Sequence, residues 1–103
     1  MSSTELSFSQ NLLIDKEHPS LPGHFPDHPV VPGVVILDQV LRLWQKHSNR
    51  RVVKVNNAKF VHLLNPGSQC RIAYHEKKNQ TIEFLITDET QTIIAKGLFT
   101  YER

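Results

Sequence analysis

The apolar residues of this chain follow two different periods, and the change between them separates a helical segment from a β-rich one. Between about Gly33 and Ser48 apolar side chains cover most of a helical circumference as far as Trp44, and polar residues begin at Gln45. This pattern is typical of a helix whose first turns are buried on nearly all sides. We therefore predict one long central helix.

On both sides of this helix the apolar residues alternate with polar ones, which predicts strands with one buried face. The first strand precedes the helix, with a possible break near Ser9 to Asn11, and the others follow from Arg51 onward. The predicted inward positions are Leu6, Phe8, Leu12, Ile14, Val53, Val55, Cys70, Ile72, Tyr74, Ile82, Phe84, Ile86, Ile93, Ala95, Gly97, Phe99 and Tyr101. Turns are predicted at 65–68, 77–80 and 88–90. The predicted class is α+β, with an antiparallel sheet of about five strands wrapped around the helix.

Length and composition predict one domain over residues 1–103. A core this thin would gain stability from association with a second copy, since 39% of the residues are hydrophobic.

The net charge of +2 is far from that of a nucleic-acid-binding protein. One basic stretch stands out, formed by Arg42, Lys46, Arg50, Arg51 and Lys54, and a solvated helix end explains it as well as a docking surface does.

The expected location is the cytoplasm. The first residues lack the basic start and apolar stretch of a signal peptide, and no apolar segment approaches the roughly 18 residues that span a bilayer. Cys70 is the single cysteine, so no disulfide within the chain is possible. We expect no membrane span.

The candidate chemistry lies in a proline-rich loop and in the helix that follows it. Five of the six prolines fall between Pro19 and Pro32, which predicts a stiff, irregular loop. This loop carries His24, and the helix carries Asp38 within its apolar run. An ionised carboxylate in such surroundings costs several kcal/mol unless it is paired or protonated. The two residues therefore suggest an acid and a base that share a pocket.

The segment from Gly23 to Asp38, GHFPDHPVVPGVVILD, resembles the active-site segment of the 3-hydroxyacyl-ACP dehydratases of the FabZ/FabA type, which have the hotdog fold. The resemblance extends through 58–60 and 65–69 to the last strand at 95–97. The usual members are longer, and the compact size resembles the short, ApeI-like dehydratases of aryl polyene biosynthesis.

The resemblance implies a catalytic pair, His24 and Asp38, with the histidine from one subunit of a homodimer and the acid from the other. It implies that the backbone N–H of Gly33 holds the thioester carbonyl. It also implies a substrate tethered by phosphopantetheine to an acyl carrier protein, an acidic partner that gives the basic stretch a function. No cofactor and no metal are implied.

The chemistry of such a reaction suits these residue types. Removing water from a 3-hydroxyacyl thioester requires a base for the C2 proton and an acid for the departing C3 hydroxyl. A neutral imidazole can be the base, and a carboxyl in an apolar wall can stay protonated as the acid. An apolar tunnel for the acyl chain would be lined by Phe25, Val31, Val35 and Phe60, with Phe84 as a further candidate, although core packing explains each equally well.

Several alternatives remain open at this level. Arg42 follows Asp38 by four residues, at a position where the FabZ/FabA family usually has Gln. An ion pair between Asp38 and Arg42 would keep the acid ionised. His28 competes with His24 as the base. A metal cluster of His18, His24, Asp27 and His28 has no compact ligand spacing. The functional alternatives are a hotdog acyl thioesterase and a catalytically silent partner subunit.

Overall fold

The computed structural model describes residues 7–14 and 30–102. They form five strands and one helix, in the order β1, α1, β2, β3, β4, β5. The elements span β1 Ser7–Leu13, α1 Gly33–Ser48, β2 Arg51–Phe60, β3 Gln69–Glu76, β4 Thr81–Asp88 and β5 Ile93–Glu102. The predicted α+β class with an antiparallel sheet is confirmed.

The five strands form one antiparallel sheet in the order β1-β3-β4-β5-β2. The three strands β3, β4 and β5 follow one another through short turns, whereas β1 and β2 take the two edges. Strand β1 pairs with β3 residue by residue from Ser7 to Leu13, so the possible break near Ser9 is absent. The helix connects the two edge strands.

The helix begins and ends where the sequence predicts, at Gly33 and Ser48. Asn49 ends it in the left-handed conformation, and its N–H donates to the Gln45 carbonyl. The side-chain oxygen of Gln45 accepts the Val52 N–H at 2.8 Å, which ties the helix end to the start of β2. A helix of 16 residues thus lies against the sheet.

The prediction that the first turns of α1 are buried on nearly all sides is wrong. One face packs into the core through Val35, Ile36, Val40 and Trp44. The opposite face is exposed, and 74% of the Val34 surface is accessible. Within the described residues the sheet covers one side of the helix, so part of the apolar run is exposed on the other side.

The alternation predicted for β3 and β4 is confirmed. Cys70, Ile72 and Tyr74 point into the core from β3, and Ile82, Phe84 and Ile86 do so from β4. Trp44 crosses this surface from the helix, with its ring centroid 5.2 Å from that of Phe99 and 5.0 Å from that of Tyr101. Aromatic rings at these distances stabilise the contact beyond simple burial.

Three inward positions, two in β2 and one in β5, were predicted wrongly because β-bulges shift the register. In β2 the register slips between Val52 and Lys54 and again after Val55. Val52 therefore packs on the core, whereas Val53 and Val55 are exposed on this edge strand.

A second irregularity explains the other wrong position, in β5. Ile86 pairs with Ala95 and Thr87 pairs with Ile93, so the pairing skips Ile94. Ile94 is consequently buried, and Ile93 is partly exposed. A bulge of one residue exchanges the two faces of a strand, and the alternation pattern does not reveal where this happens.

Within the described ranges, no helix combines the length and apolar character needed to cross a membrane.

Candidate active site

The head of α1 is the first component of the candidate site. Pro32 precedes the helix in an extended conformation, and its carbonyl accepts the N–H groups of Val35 and Ile36 at 3.0 and 3.2 Å. No side chain of the described residues caps this end by a hydrogen bond. The first N–H groups of a helix have no partner inside it and carry the positive end of its dipole. The N–H of Gly33 is therefore a donor suited to an oxyanion.

The ring of Phe60, at the end of β2, lies directly against this helix head. A Cβ atom added to Gly33 would be 3.1 Å from Cε2 of Phe60 and 3.2 Å from its Cζ. Further along, the N–H of Val31 donates to the Leu64 carbonyl at 2.8 Å. The segment after β2 therefore runs beside the start of the helix, and the absence of a side chain at Gly33 allows the ring to come close.

Asp38 lies on the exposed face of α1, five residues after Gly33. Its side chain is 51% exposed, and its Oδ2 accepts a hydrogen bond from Nε of Arg42 at 2.8 Å. Among the described residues of the single chain, no apolar wall encloses the Asp38 side chain, and its placement in an apolar crevice between two subunits stays a prediction. The pairing with Arg42, left open by the sequence, is present.

The pairing makes the Asp38 carboxyl an acceptor of a charge-assisted hydrogen bond. Both side chains are largely exposed, and i,i+4 pairs of this kind contribute only about 0.3 to 0.5 kcal/mol to helix stability. The Asp38–Arg42 contact thus adds little to the stability of the chain. It does restrict the direction of the carboxyl.

The middle of α1 is fixed by a buried tyrosine. The Tyr74 hydroxyl on β3 donates to the Val40 carbonyl at 2.6 Å. Burial raises the pKa of Tyr74 well above its ordinary value, so the hydroxyl keeps its proton. Since Val40 lies two residues after Asp38, this bond holds the acid-bearing turn at a fixed position over the sheet.

The other predicted site residues are buried, exposed or outside the described part of the chain. Val31 and Val35 are buried in the core cluster, and Phe60 is 43% exposed. Phe84, the further candidate, is fully buried and serves the core. His24 and Phe25 lie outside the described residues.

The alternative base His28 and the alternative metal cluster of His18, His24, Asp27 and His28 also fall outside the described ranges. Across 7–14 and 30–102, no group of three or more His, Cys, Asp or Glu side chains is arranged to hold a metal ion.

Sequence reasoning missed the apolar surface around the helix head. Val34, Val61 and Leu63 are exposed, and they belong to the two segments that the Gly33–Phe60 and Val31–Leu64 contacts bring together. The sequence could have indicated this surface, because apolar residues continue through 60–64 after the alternating pattern of the strand has ended. We name Val34, Phe60, Val61 and Leu63 the apolar shelf.

The C-terminal half of α1 and the start of β2 carry exposed positive charge. Lys46, Arg50, Arg51 and Lys54 are all exposed, and we name these four residues the basic surface. The Arg50 guanidinium carbon lies 5.4 Å from the centroid of the Tyr101 ring, which orients this side chain.

Comparison with known proteins gives a family match over most of the chain. The sequence model of the family described as ApeI-like, ApeI dehydratase, matches residues 1–98. A 3-hydroxyacyl-[acyl-carrier-protein] dehydratase FabZ from Bartonella quintana (strain Toulouse) is 38% identical over 73 residues, 61% of this chain and 46% of the relative. The FabZ of Bartonella bacilliformis (strain ATCC 35685 / KC583 / Herrer 020/F12,63) is 31% identical over 94 residues, 80% of this chain and 60% of the relative. The chain thus spans about half the length of the curated relatives it matches.

Solved structures share the fold. An uncharacterized protein from Erwinia carotovora subsp. atroseptica superposes with a TM-score of 0.83 at 20% identity, covering 99% of this chain and 87% of that one. The dehydratase heterocomplex ApeI:P from Xenorhabdus doucetiae superposes with a TM-score of 0.79 at 22% identity, covering 94% and 88%. The five-stranded sheet with one helix is consistent with the hotdog fold.

Proposed function

Because the chain belongs to the ApeI-like dehydratase family, we propose that it dehydrates (3R)-3-hydroxyacyl thioesters of acyl carrier protein to trans-2-enoyl thioesters. The observation that carries this proposal is the arrangement on α1. Gly33 begins the helix at its positive end, and Asp38 follows on the exposed face about 7.5 Å further along the helix axis. A donor for an oxyanion and a carboxyl that a substrate can reach are thus held on one rigid element.

In the proposed reaction His24 takes the C2 proton, and the carboxyl of Asp38 gives a proton to the departing C3 hydroxyl. The negative charge that develops on the thioester oxygen is stabilised by the N–H of Gly33 and by the helix dipole. His24 and Asp38 belong to different subunits of a homodimer in this proposal. The isolated protomer is then inactive.

The acyl chain is proposed to begin at the apolar shelf. Phe60 is its largest member, and its ring lies against the Cα side of Gly33, whose N–H would hold the thioester. Val31 and Val35 would support this surface from within the core, and Phe25 would complete it. We propose that the acyl chain of the substrate is of the fatty-acid or polyene type. The proposed location of the enzyme is the cytoplasm.

The acyl carrier protein is proposed to dock on the basic surface. Carrier proteins of this kind are acidic, and four exposed cations close together in the sequence favour such a partner electrostatically. Replacing Lys46 and Arg50 by Glu should raise KM for the carrier-bound substrate at low salt. The same change should leave turnover of a short pantetheine thioester unaltered, which separates docking from chemistry.

The experiment that tests the function follows the mass of the acyl group on a 3-hydroxyacyl carrier protein incubated with the purified chain. Loss of one water supports the dehydratase, and release of a free acid identifies the thioesterase instead. His24→Ala and Asp38→Asn should each abolish water loss while leaving the fold and the oligomeric state intact. Near-normal turnover by either variant would contradict the assignment.

The shared site has its own test. Mixing the two inactive variants and allowing subunits to exchange should recover part of the activity, because one of the two sites in a mixed dimer is then intact. Exchange is checked by mass spectrometry of differently labelled chains. Activity that stays absent after complete exchange would place both residues in one subunit.

A second candidate function is that of a partner subunit in a dehydratase made of two different chains. It is favoured by the hydrogen bond that Arg42 donates to Asp38, because this bond occupies one oxygen of the carboxyl. It is also favoured by the fold likeness to a dehydratase heterocomplex. In this case the purified chain leaves the substrate mass unchanged, and water loss begins on addition of a second hotdog chain.

A further inference from the structure

Strand β1 is an edge of the sheet, and it is paired on one side only within the described residues. All seven of its residues, Ser7–Leu13, pair with β3. Across 7–14 and 30–102, no strand lies on its other side. An antiparallel edge strand directs the backbone N–H and C=O groups of alternate residues away from the sheet, where another strand can bind them.

This edge lacks the features that usually protect an edge strand from pairing. Such strands are typically interrupted by a bulge or carry charged residues or proline. The sequence of β1, SFSQNLL, contains no charged residue, no proline and no glycine, and its pairing with β3 runs without a register shift. Short uncharged segments of this kind form strand pairs between chains. The composition of β1 therefore favours the addition of a further strand.

The strand is also complementary to a second copy of itself. Burial alternates along it, with Phe8, Gln10 and Leu12 on the core side. In an antiparallel register centred on Gln10, apolar residues meet on the core side and polar residues meet on the outer side around the centre. The opposed pairs are Gln10 with its own copy, Phe8 with Leu12, Ser9 with Asn11, and Ser7 with Leu13. The register opposes no two charges, and it covers part of Leu13, which is 57% exposed in the single chain.

We propose that β1 is an interaction surface for a second copy of this chain, whose own β1 joins it antiparallel with Gln10 at the two-fold axis. Two sheets of five strands then become one sheet of ten, with both α1 helices on the same face. The strands β1 and β2 occupy opposite edges of the sheet. The contact therefore leaves Phe60 and the head of α1 accessible, and it does not depend on the proposed dehydratase function.

Cysteine cross-linking tests the register. The parent is Cys70→Ala, because Cys70 is the single cysteine of the chain. Chains with Ser7→Cys mixed with chains with Leu13→Cys should form a disulfide-linked pair on mild oxidation, since the register places these positions opposite each other. Each variant oxidised alone is the matched control. Two copies of position 7 would lie six residues apart along the paired strands, about 20 Å, which is too far for a disulfide.

A second measurement tests the association without cross-links. Gln10→Lys places two positive charges side by side at the two-fold axis, and like charges directly opposite each other destabilise strand pairing. Sedimentation over a concentration series should show a Kd for self-association raised by roughly fivefold or more. Gln91→Lys, at an exposed position between β4 and β5, makes the same charge change and should sediment like wild type. Circular dichroism confirms that both variants are folded.

Three results would overturn the inference. The first is a folded Gln10→Lys variant that associates as tightly as wild type. The second is a mixture of Ser7→Cys and Leu13→Cys chains that forms no mixed disulfide, which would mean that something other than a second β1 covers this edge. The third is equally efficient cross-linking of each variant alone, which would indicate random collision. Neither measurement uses dehydratase activity, so this inference and the proposed function can fail separately.

Discussion

The ring of Phe60 occupies the space that a side chain at Gly33 would need. A Cβ atom there would be 3.1 Å from Cε2 of the ring, tighter than ordinary van der Waals contact. A side chain at the head of α1 would therefore press on a neighbour within the protein, independently of any substrate. The relationship links the proposed oxyanion donor to the largest residue of the apolar shelf.

Gly33→Ala should displace the Phe60 ring while leaving the fold intact. The ring is partly exposed and can move, and alanine favours the helix, so the free energy of unfolding should change by less than about 1 kcal/mol. Dehydratase activity should fall by roughly tenfold, because the ring and the donor no longer keep their relative position. Thermal denaturation and the mass assay measure the two effects.

The control for this prediction is a double-mutant cycle with Phe60→Ala. Without the ring, Gly33→Ala should cause little further loss of activity. An equal loss with and without the ring would show that substrate, and not Phe60, requires glycine at this position.

Gly97→Ala should destabilise the protein strongly. A Cβ atom at Gly97 would collide with the backbone carbonyl of Asn57 and lie 2.7 Å from Cε2 of the fully buried Phe84. Neither neighbour can move freely, since one is backbone in the paired strand β2 and the other is core. We expect a loss of about 2 to 3 kcal/mol in the free energy of unfolding, measured in urea.

Lys96→Ala provides the matched control, because Lys96 is the exposed neighbour of Gly97 in β5. Its effect should stay within about 0.5 kcal/mol. A Gly97→Ala variant as stable as this control would contradict the close approach of β2 and β5.

Tyr74→Phe should loosen the acid-bearing turn of α1. The substitution removes the hydroxyl that donates to the Val40 carbonyl and leaves the buried ring in place. The expected cost is about 1 kcal/mol in the free energy of unfolding. Hydrogen exchange should accelerate at the amides around Val40 more than at those of β4, and uniform acceleration throughout the chain would argue against a local role.

Asp88 should make the stability depend on pH. Its carboxylate accepts hydrogen bonds from the Thr90 hydroxyl and from the Thr92 and Thr90 amides, and these bonds, with the positive charge of His62, hold its pKa below the ordinary value. The stability from Asp88 is therefore fully present above the unfolded pKa of about 3.9. It is lost as the pH falls through the lower, folded pKa.

Asp88→Asn should flatten this acid dependence in urea denaturation measured between neutral and strongly acidic pH. Glu102→Gln, at the exposed end of β5, is the control and should keep the wild-type slope. A wild-type slope in Asp88→Asn would mean that other carboxyl groups account for the acid sensitivity.

The sequence alone located the helix and the central strands because their patterns are local. The boundaries Gly33 and Ser48 follow from a proline before the helix and from the loss of apolar period after Trp44. The inward residues of β3 and β4 follow from strict alternation, which two regular strands preserve. The family resemblance also arose from a contiguous segment of sequence.

Faces and partners were decided by the tertiary structure. The bulges in β2 and β5 depend on how each strand pairs with its neighbour. Val53 and Ile93 were therefore predicted to point into the core, whereas the structure exposes them. The approach of Phe60 to Gly33 joins residues that are distant in the chain.

The sequence by itself determined which elements form, which residues can carry acid–base chemistry and which family they resemble, since these depend on residue type and short spacing. Only the tertiary structure decided that Asp38 faces outward and bonds Arg42, because the sheet covers one side of α1. Burial is a property of all the surfaces packed against a residue. An apolar neighbourhood in sequence therefore does not fix the environment of the charged group within it.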